Sequence, residues 1–282
     1  MFTSEQCVER IRASYPTLAI GRARIEEAGQ NNLVLMVNDA LVFRFPRYAA
    51  GARALRMETA LLRALRGRLP LPIPDPLYAH LASDLPGEAF MGYPLIAGEP
   101  LWRETLAALD DEAATQAMAE QVGAFLRALH HVPVGETELA GQPVADGAAD
   151  WADLYARFRE RLFAHMRPDA RDAVARDFAA FLGEPSNFAY APALRHGDFG
   201  PSNILWDAAR RRITGVIDFG GAGLGDPAVD VAGIICEVGY GEAFARRCLH
   251  IYPEVKGMLA RARFYVSTFA LQEALFGVEQ GD

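Results

Sequence analysis

The segment His196-Gly197-Asp198-Phe199-Gly200-Pro201-Ser202-Asn203 sets an aspartate and an asparagine five positions apart. Ile217-Asp218-Phe219-Gly220 follows, with a second aspartate at the end of an apolar run. A carboxylate beside an alcohol can orient the hydroxyl and accept its proton. An amide oxygen with a second carboxylate makes a hard, oxygen-only donor set of the kind Mg²⁺ prefers. Phosphoryl transfer needs mainly these things: a positioned attacking oxygen and neutralised phosphate charge. The D-x-x-x-x-N spacing followed by D-F-G therefore points to transfer of a phosphoryl group onto a hydroxyl. Asp198 is then the base, and Asn203 and Asp218 the metal ligands.

These residues need elements to hold them. Ile204-Leu205-Trp206 and Ile213 to Ile217 read as a hairpin over the Ala208–Arg212 turn, which returns Asp218 toward Asn203. Asp226-Pro227 then opens a helix with Asp230 one turn in, and both acids read as helix-capping residues. From Val231 the pattern is helical to the end, with Phe264, Thr268, Leu271 and Leu275 on one face. Upstream, Met118, Val122, Phe125, Leu126 and Leu129 keep helical spacing and predict a buried stripe. His130 and His131 close that helix, where a role at its C-terminus is expected of both. Residues 135–149 carry Gly, Pro and Asp without periodicity and read as a loop. Trp151, Leu154, Tyr155, Phe158, Leu162 and Phe163 predict another helix with an aromatic core face.

The first part of the chain alternates like a sheet. Thr3-x-x-Gln6 has the form of a capping box opening a helix that Pro16 ends. Leu18–Ile25, Leu33–Val37 and Ala40–Phe45 read as strands, the last two joined by a two-residue Asn38-Asp39 turn. The loop from Glu27 to Asn32 contains Gly29 and Asn31. It sits where a phosphate-covering loop would lie, although one glycine is no G-x-G-x-x-G and a plain hairpin loop reads as well. Arg44 alternates with Phe43 and Phe45 and so faces the other side of the sheet. Glu58, on a helix over Ala52 to Leu65, is its expected partner. A strand cation held by a helix carboxylate is the arrangement that meets nucleotide phosphates. Four prolines between Leu69 and Pro76 exclude helix there. Strands over Leu77–Ala82 and Glu88–Ile96 complete the sheet, and Gly98 and Pro100 mark a boundary. A nucleotide base would meet the backbone of Tyr93, Pro94, Leu95 and Ile96.

Composition narrows the partners. The net charge is −8, unevenly spread: residues 1–97 hold 11 Arg and 9 acidic residues, the rest 17 basic and 27 acidic. Nucleic acid is a poor partner for that acidic second part, and a cationic small molecule a plausible one. Lys256 is the single lysine beside 27 arginines, so phosphates in the first part must meet arginine or backbone. Cys7, Cys236 and Cys248 have no metal or redox spacing and read as small buried hydrophobes in a reducing, cytoplasmic setting. No apolar run is long enough for a membrane span, and the start lacks the apolar core of a signal peptide.

H-G-D-F-G-P-S-N-I-L, G-V-I-D-F-G and D-P-A-V-D together resemble the aminoglycoside phosphotransferase family. Val42-Phe43-Arg44-Phe45-Pro46-Arg47 and Phe276-Gly277-x-Glu279 look most like its 2″-type members and their uncharacterised relatives. The resemblance implies an α+β, bilobal, protein-kinase-like fold: a nucleotide-binding lobe over 1–97 and a mostly helical catalytic and substrate-binding lobe over 98–282. It implies Mg²⁺ as cofactor and ATP or GTP as phosphoryl donor. Asp198 falls on the family's catalytic base, Asn203 and Asp218 on its metal ligands, Arg44 and Glu58 on its phosphate-binding pair. His196 and Asp230 fall on residues that brace the catalytic loop. Two departures stand out. Arg44 replaces the lysine many members carry, and a rigid fork does not contact phosphate as an ammonium does. The acidic run that binds amines in 2″-type members is reduced to Glu237 and Glu242, which disfavours a polyamine acceptor. A metabolic kinase for a sugar, amino alcohol or macrolide-like compound, and a nucleotide-binding protein without transfer activity, stay open as alternatives.

Overall fold

A computed structural model describes residues 3–26, 32–133, 135 and 141–280. Helix α1 (Ser4–Ser14) begins at a formed capping box: Thr3 Oγ1 accepts from Gln6 N–H, and the Gln6 side chain accepts from Thr3 N–H. Strands β1 (Ala23–Glu26), β2 (Asn32–Val37) and β3 (Leu41–Pro46) follow, then α2 (Ala49–Leu65), β4 (Tyr78–His80) and β5 (Phe90–Pro94). The strands form an antiparallel sheet in the order β1-β2-β3-β5-β4. Alternation along β3 sorts the faces. Phe43 and Phe45 join Leu33, Leu35, Val37 and Phe90 in a core closed by Cys7 and Ile11 of α1. Arg44 points to the opposite face, where α2 presents Glu58.

Two local expectations change. The first strand does not begin at Leu18, because Asn38 takes over the backbone there. Its Nδ2 donates to Ala19 O, and its Oδ1 accepts from the N–H groups of Gly21 and Arg22. The β2–β3 turn does place Asn38 and Asp39 at positive φ, 54° and 52°. It is one residue wider than expected, since the ladder resumes with Val37 opposite Leu41.

The chain continues through β6 (Glu99–Pro100), α3 (Arg103–Ala107), α4 (Glu112–His130), α5 (Ala148–Arg161), α6 (Pro168–Leu182) and β7 (Ala193–Arg195). Then come β8 (Ile204–Asp207), β9 (Arg212–Val216), β10 (Gly223–Gly225), α7 (Ala228–Ile235), α8 (Glu242–Cys248) and α9 (Val255–Gln280). The run expected to be helical from Val231 onward is thus broken twice. Tyr252 and Pro253 precede α9, and the turn after Ile235 closes with Gly241 N–H donating to Ile234 O at 3.0 Å.

Two units emerge. One gathers Met1–Pro100, Gly135–Ala140 and Ile204–Gly220; the other gathers Leu101–Val134, Gly141–Asn203 and Gly221–Asp282. In the first unit β6 pairs with β8 and β8 with β9, so the hairpin that ends just before Asp218 is anchored to Glu99 and Pro100. In the second, Met118, Val122, Phe125, Leu126 and Leu129 of α4 are fully buried, as their spacing predicts. Aromatic stacking ties α5, α6 and α9 together: Trp151 on Tyr265 at 4.7 Å and Phe181 on Phe264 at 3.7 Å between ring centroids. All three cysteines are buried free thiols. No helix among the described residues is long and apolar enough to cross a membrane.

Candidate active site

In the second unit the segment 196–203 is held from four directions. Asp230, in the first turn of α7, is fully buried. Its Oδ2 accepts from His196 N–H and its Oδ1 from Gly197 N–H, both at 2.8 Å. His130 Nε2 donates to Oδ2 at 3.0 Å, and the far side of that ring meets the Tyr252 hydroxyl at 3.0 Å. Burial works to raise the Asp230 pKa, but the hydrogen bond and charge of His130, with His196, outweigh it and hold the carboxyl below its ordinary range. The Phe199 ring stacks on Phe125 of α4 at 5.7 Å. The Phe199 carbonyl lies so close to Gly233 that a Cβ there would come within 2.2 Å of it. Gly197 has φ +81°, and a Cβ on it would sit 2.1 Å from the Gly221 carbonyl oxygen. Only glycine fits between His196 and Asp198.

Asn203 completes the loop. Its Nδ2 donates to Asp198 O at 2.8 Å and to Asp198 Oδ2 at 3.0 Å. Both amide hydrogens therefore point at Asp198, and the amide oxygen is directed elsewhere. His196 Nδ1 accepts from Asp198 N–H at 3.3 Å. Asp198 opens on a cavity of about 490 Å³ within this unit. Phe199, Trp151, Tyr265 and Phe269 form much of its wall, Trp102 and Val238 stand at it, and Gln272 and Glu273 reach it from α9. Asp146 and Arg195 also line it, joined by an ion pair at 2.7 Å. Glu237, the acid singled out for substrate binding, is exposed and does not line the cavity; its backbone carbonyl accepts from Arg103.

In the first unit Arg44 uses both arms of its guanidinium. Nη1 donates to Glu58 Oε1 at 2.5 Å and Nη2 to Asp218 Oδ1 at 3.1 Å. Arg44 and Glu58 are buried, whereas half of the Asp218 side chain is exposed. Burial works against the charge on Arg44, but Glu58 and Asp218 outweigh it and move its pKa up. Burial also pushes the Glu58 carboxyl up, against the pull of Arg44. Asp218 has φ +63°, a left-handed conformation that costs a non-glycine residue about 1–2 kcal/mol. Its second carboxylate oxygen remains available beside the one that meets Arg44. A carboxylate oxygen is a ligand type that suits Mg²⁺, which takes one or two protein oxygens and keeps water and phosphate for the rest.

Of the residues expected around a base, Tyr93 is buried in β5 opposite Val42, and the Leu95 N–H donates to Ala40 O at 2.8 Å. Pro94, Leu95 and Ile96 line a second cavity in this unit, about 750 Å³, with Trp206, Arg212 and Thr214. None of Arg44, Glu58 and Asp218 lines it. Gly29 and Asn31 lie outside the described residues.

Sequence reasoning missed several partners. His130 does not serve the α4 C-terminus as expected, but braces Asp230; His131 does cap, with Nδ1 on Arg127 O at 2.7 Å. Asp226 accepts from Ala228 N–H at the start of α7, as a capping residue should. It also receives both arms of Arg261 and the Tyr265 hydroxyl. Asp146 was hidden in an aperiodic stretch, yet it pairs with Arg195 and accepts from Asp226 N–H.

Residues 23–265 match the model of the phosphotransferase enzyme family. The chain belongs to that family. It is 30% identical over 271 residues to the viomycin phosphotransferase of Streptomyces vinaceus, covering 95% of this chain and 91% of that protein. An aminoglycoside 3′-phosphotransferase of Streptomyces fradiae is 30% identical over 163 residues, half of either chain. Among solved structures, the GDP complex of an aminoglycoside 2′-phosphotransferase-IIIa superposes with TM-score 0.90 at 27% identity, covering 100% of this chain and 94% of that one. The GDP and kanamycin complex of APH(2″)-IIia gives 0.88 at 28% identity, with 98% and 92% covered. The expected kinase-like α+β fold therefore stands, and the chain is a small-molecule kinase that transfers phosphoryl groups to hydroxyls.

Proposed function

We propose that this phosphotransferase uses Mg²⁺-bound ATP or GTP to phosphorylate a hydroxyl of a small molecule bound in the cavity beside Asp198. The observation that carries this reading is the fixing of Asp198 at that cavity by Asn203, whose amide hydrogens meet both its carbonyl and its carboxylate. In the reaction the acceptor oxygen forms a bond to the γ-phosphorus, the bond from that phosphorus to the β-bridging oxygen breaks, and nucleoside diphosphate leaves. Asp198 orients the acceptor O–H and takes its proton. His196 and Asp230 keep the Asp198 backbone in place. Arg44, braced by Glu58, meets the phosphates, and Tyr93 to Ile96 meet the base. Asn203 and Asp218 would supply protein oxygens to Mg²⁺, which would neutralise phosphate charge.

The test is nucleoside diphosphate release from Mg-ATP and from Mg-GTP, with and without acceptors, in wild type and Asp198→Asn. The variant should lose about 10²–10⁴-fold in turnover. It should keep its thermal midpoint and its nucleotide affinity. Wild-type turnover in Asp198→Asn would remove the base assignment. Relatives near 28% identity were solved with GDP, so both nucleotides belong in the assay.

A further inference from the structure

The cavity beside Asp198 says something about the acceptor's charge. Four ionisable side chains of the acid and arginine types line it: Asp198, Asp146, Arg195 and Glu273. Asp198 is engaged with Asn203 and, on the reading above, with the acceptor hydroxyl. Asp146 and Arg195 answer each other, with Nε to Oδ2 at 2.7 Å and Nη2 to Oδ1 at 3.4 Å, and Asp146 further accepts from Asp226 N–H at 3.1 Å. Their charges cancel locally. Glu273, exposed on α9, is the remaining carboxylate facing the cavity, and no ion pair holds it among the described residues. A polyamine would thus bring several ammonium groups to a wall with one free carboxylate, leaving the others without a charged partner.

Apart from Ser202 and Gln272 the rest of the wall is mostly apolar, and part of it is exposed. Trp102 is 49% exposed and Val238 72% exposed. Both line the cavity, so an occupant with an apolar face would cover them. They are not loosely placed. Arg103, next to Trp102, donates to Glu237 O, next to Val238. Tyr240 OH donates to Leu101 O at 2.7 Å, a second tie between the same two segments. Two cross-links therefore tie the segments that carry Trp102 and Val238, and Cys236, Val229 and Phe269 line the same cavity.

We propose that the acceptor is an alcohol bearing a single ammonium group and a broad apolar face, with the ammonium on Glu273 and the apolar face on the Trp102–Val238 rim. The proposal rests on the phosphotransferase reading for the presence of a hydroxyl beside Asp198. The charge and shape of the occupant rest on the wall alone.

The test separates binding from transfer. Full-length protein with Mg²⁺ and a non-hydrolysable ATP analogue is titrated by equilibrium dialysis with erythromycin, a hydroxylated apolar macrocycle with one dimethylamino group, and with kanamycin, a polyamine. Wild type, Glu273→Gln and Trp102→Ala are compared at low and high salt. Erythromycin should bind at least about tenfold tighter than kanamycin, with a weak salt dependence. Glu273→Gln should weaken it about tenfold and remove that dependence. Trp102→Ala should weaken it without changing the salt slope. Tighter kanamycin binding with a steep salt slope overturns the proposal, as does binding of neither probe, or erythromycin binding indifferent to Glu273→Gln. The same samples with hydrolysable nucleotide test the reading beneath it. Binding that follows the expected pattern without phosphorylation of either probe supports the acceptor proposal and counts against transfer. Phosphorylation of kanamycin alone keeps the transferase reading and removes the acceptor proposal.

Discussion

Asp230 touches no reacting atom in the proposed chemistry, yet it sets where Asp198 stands. Its two oxygens take consecutive backbone N–H groups, and His130 and Tyr252 fix it from behind. The groups facing it are His130 of α4, His196 of its own loop and Tyr252 ahead of α9, none of them a carboxylate. Its folded pKa lies below the ordinary carboxylate value, so the carboxylate contributes stability that is fully present above about pH 4. That stability is lost as pH falls through the lower folded pKa. Urea midpoints measured between pH 6 and 3 should therefore decline more steeply for wild type than for Asp230→Asn. At pH 7 the variant should be less stable by about 1–3 kcal/mol, because one buried N–H loses its acceptor. Equal acid slopes in the two proteins would contradict this. The segment 196–203 was legible because its residues lie within a short stretch, so their spacing can be read directly. His130 was not, since a partner 100 positions away leaves no spacing to read. Glu237 is acidic and near the motif in the chain, but the cavity receives Glu273 from α9, a helix whose acids the pattern of the chain alone does not aim.

At the scale of elements, the β2–β3 turn does more than reverse the chain. Asn38 accepts the left-handed backbone of the turn and at the same time ties down residues 19–22 with three side-chain hydrogen bonds. Asn38→Ala should destabilise the protein by about 2 kcal/mol, as lost hydrogen bonds add to an unfavourable φ. Asn38→Gly keeps the φ and loses only the bonds. If urea denaturation finds Asn38→Gly as stable as wild type, the side-chain bonds carry little. The turn was legible in the sequence, because asparagine and aspartate in succession favour positive φ. The cost to the first strand was not, because a side chain can replace a strand neighbour without changing any hydrophobic pattern. The apolar run Val231 to Cys236 likewise continued the helical pattern past the point where the backbone turns.

For the molecule as a whole, each unit has its own core and its own ionic anchor. Arg44 and Glu58 are buried in the first; in the second the buried Asp226 pairs with the partly buried Arg261. Glu58→Ala leaves Arg44 buried with Asp218 alone and should destabilise the first unit by about 3 kcal/mol. Hydrogen exchange read by mass spectrometry should rise in peptides covering 32–46 and 204–216, and change little in those covering 118–130 and 258–275. A uniform rise over both sets would mean the chain opens as one cooperative body. The charge imbalance that separates residues 1–97 from the remainder was visible from composition. The assignment of Ile204–Gly220 to the first unit depends on the pairing of β6 with β8, a long-range register that composition does not record.

The guanidinium of Arg44 has a consequence for the conditions under which the enzyme can operate. A lysine at that strand position would lose its charge on the alkaline side of its titration, and phosphate contact would fade with it. Arginine does not deprotonate in water that proteins tolerate, and its two carboxylate neighbours move its pKa further up. With Arg44 in the proposed role, the cation for the phosphates would be constant across the working range, and an alkaline decline in rate would originate in another group.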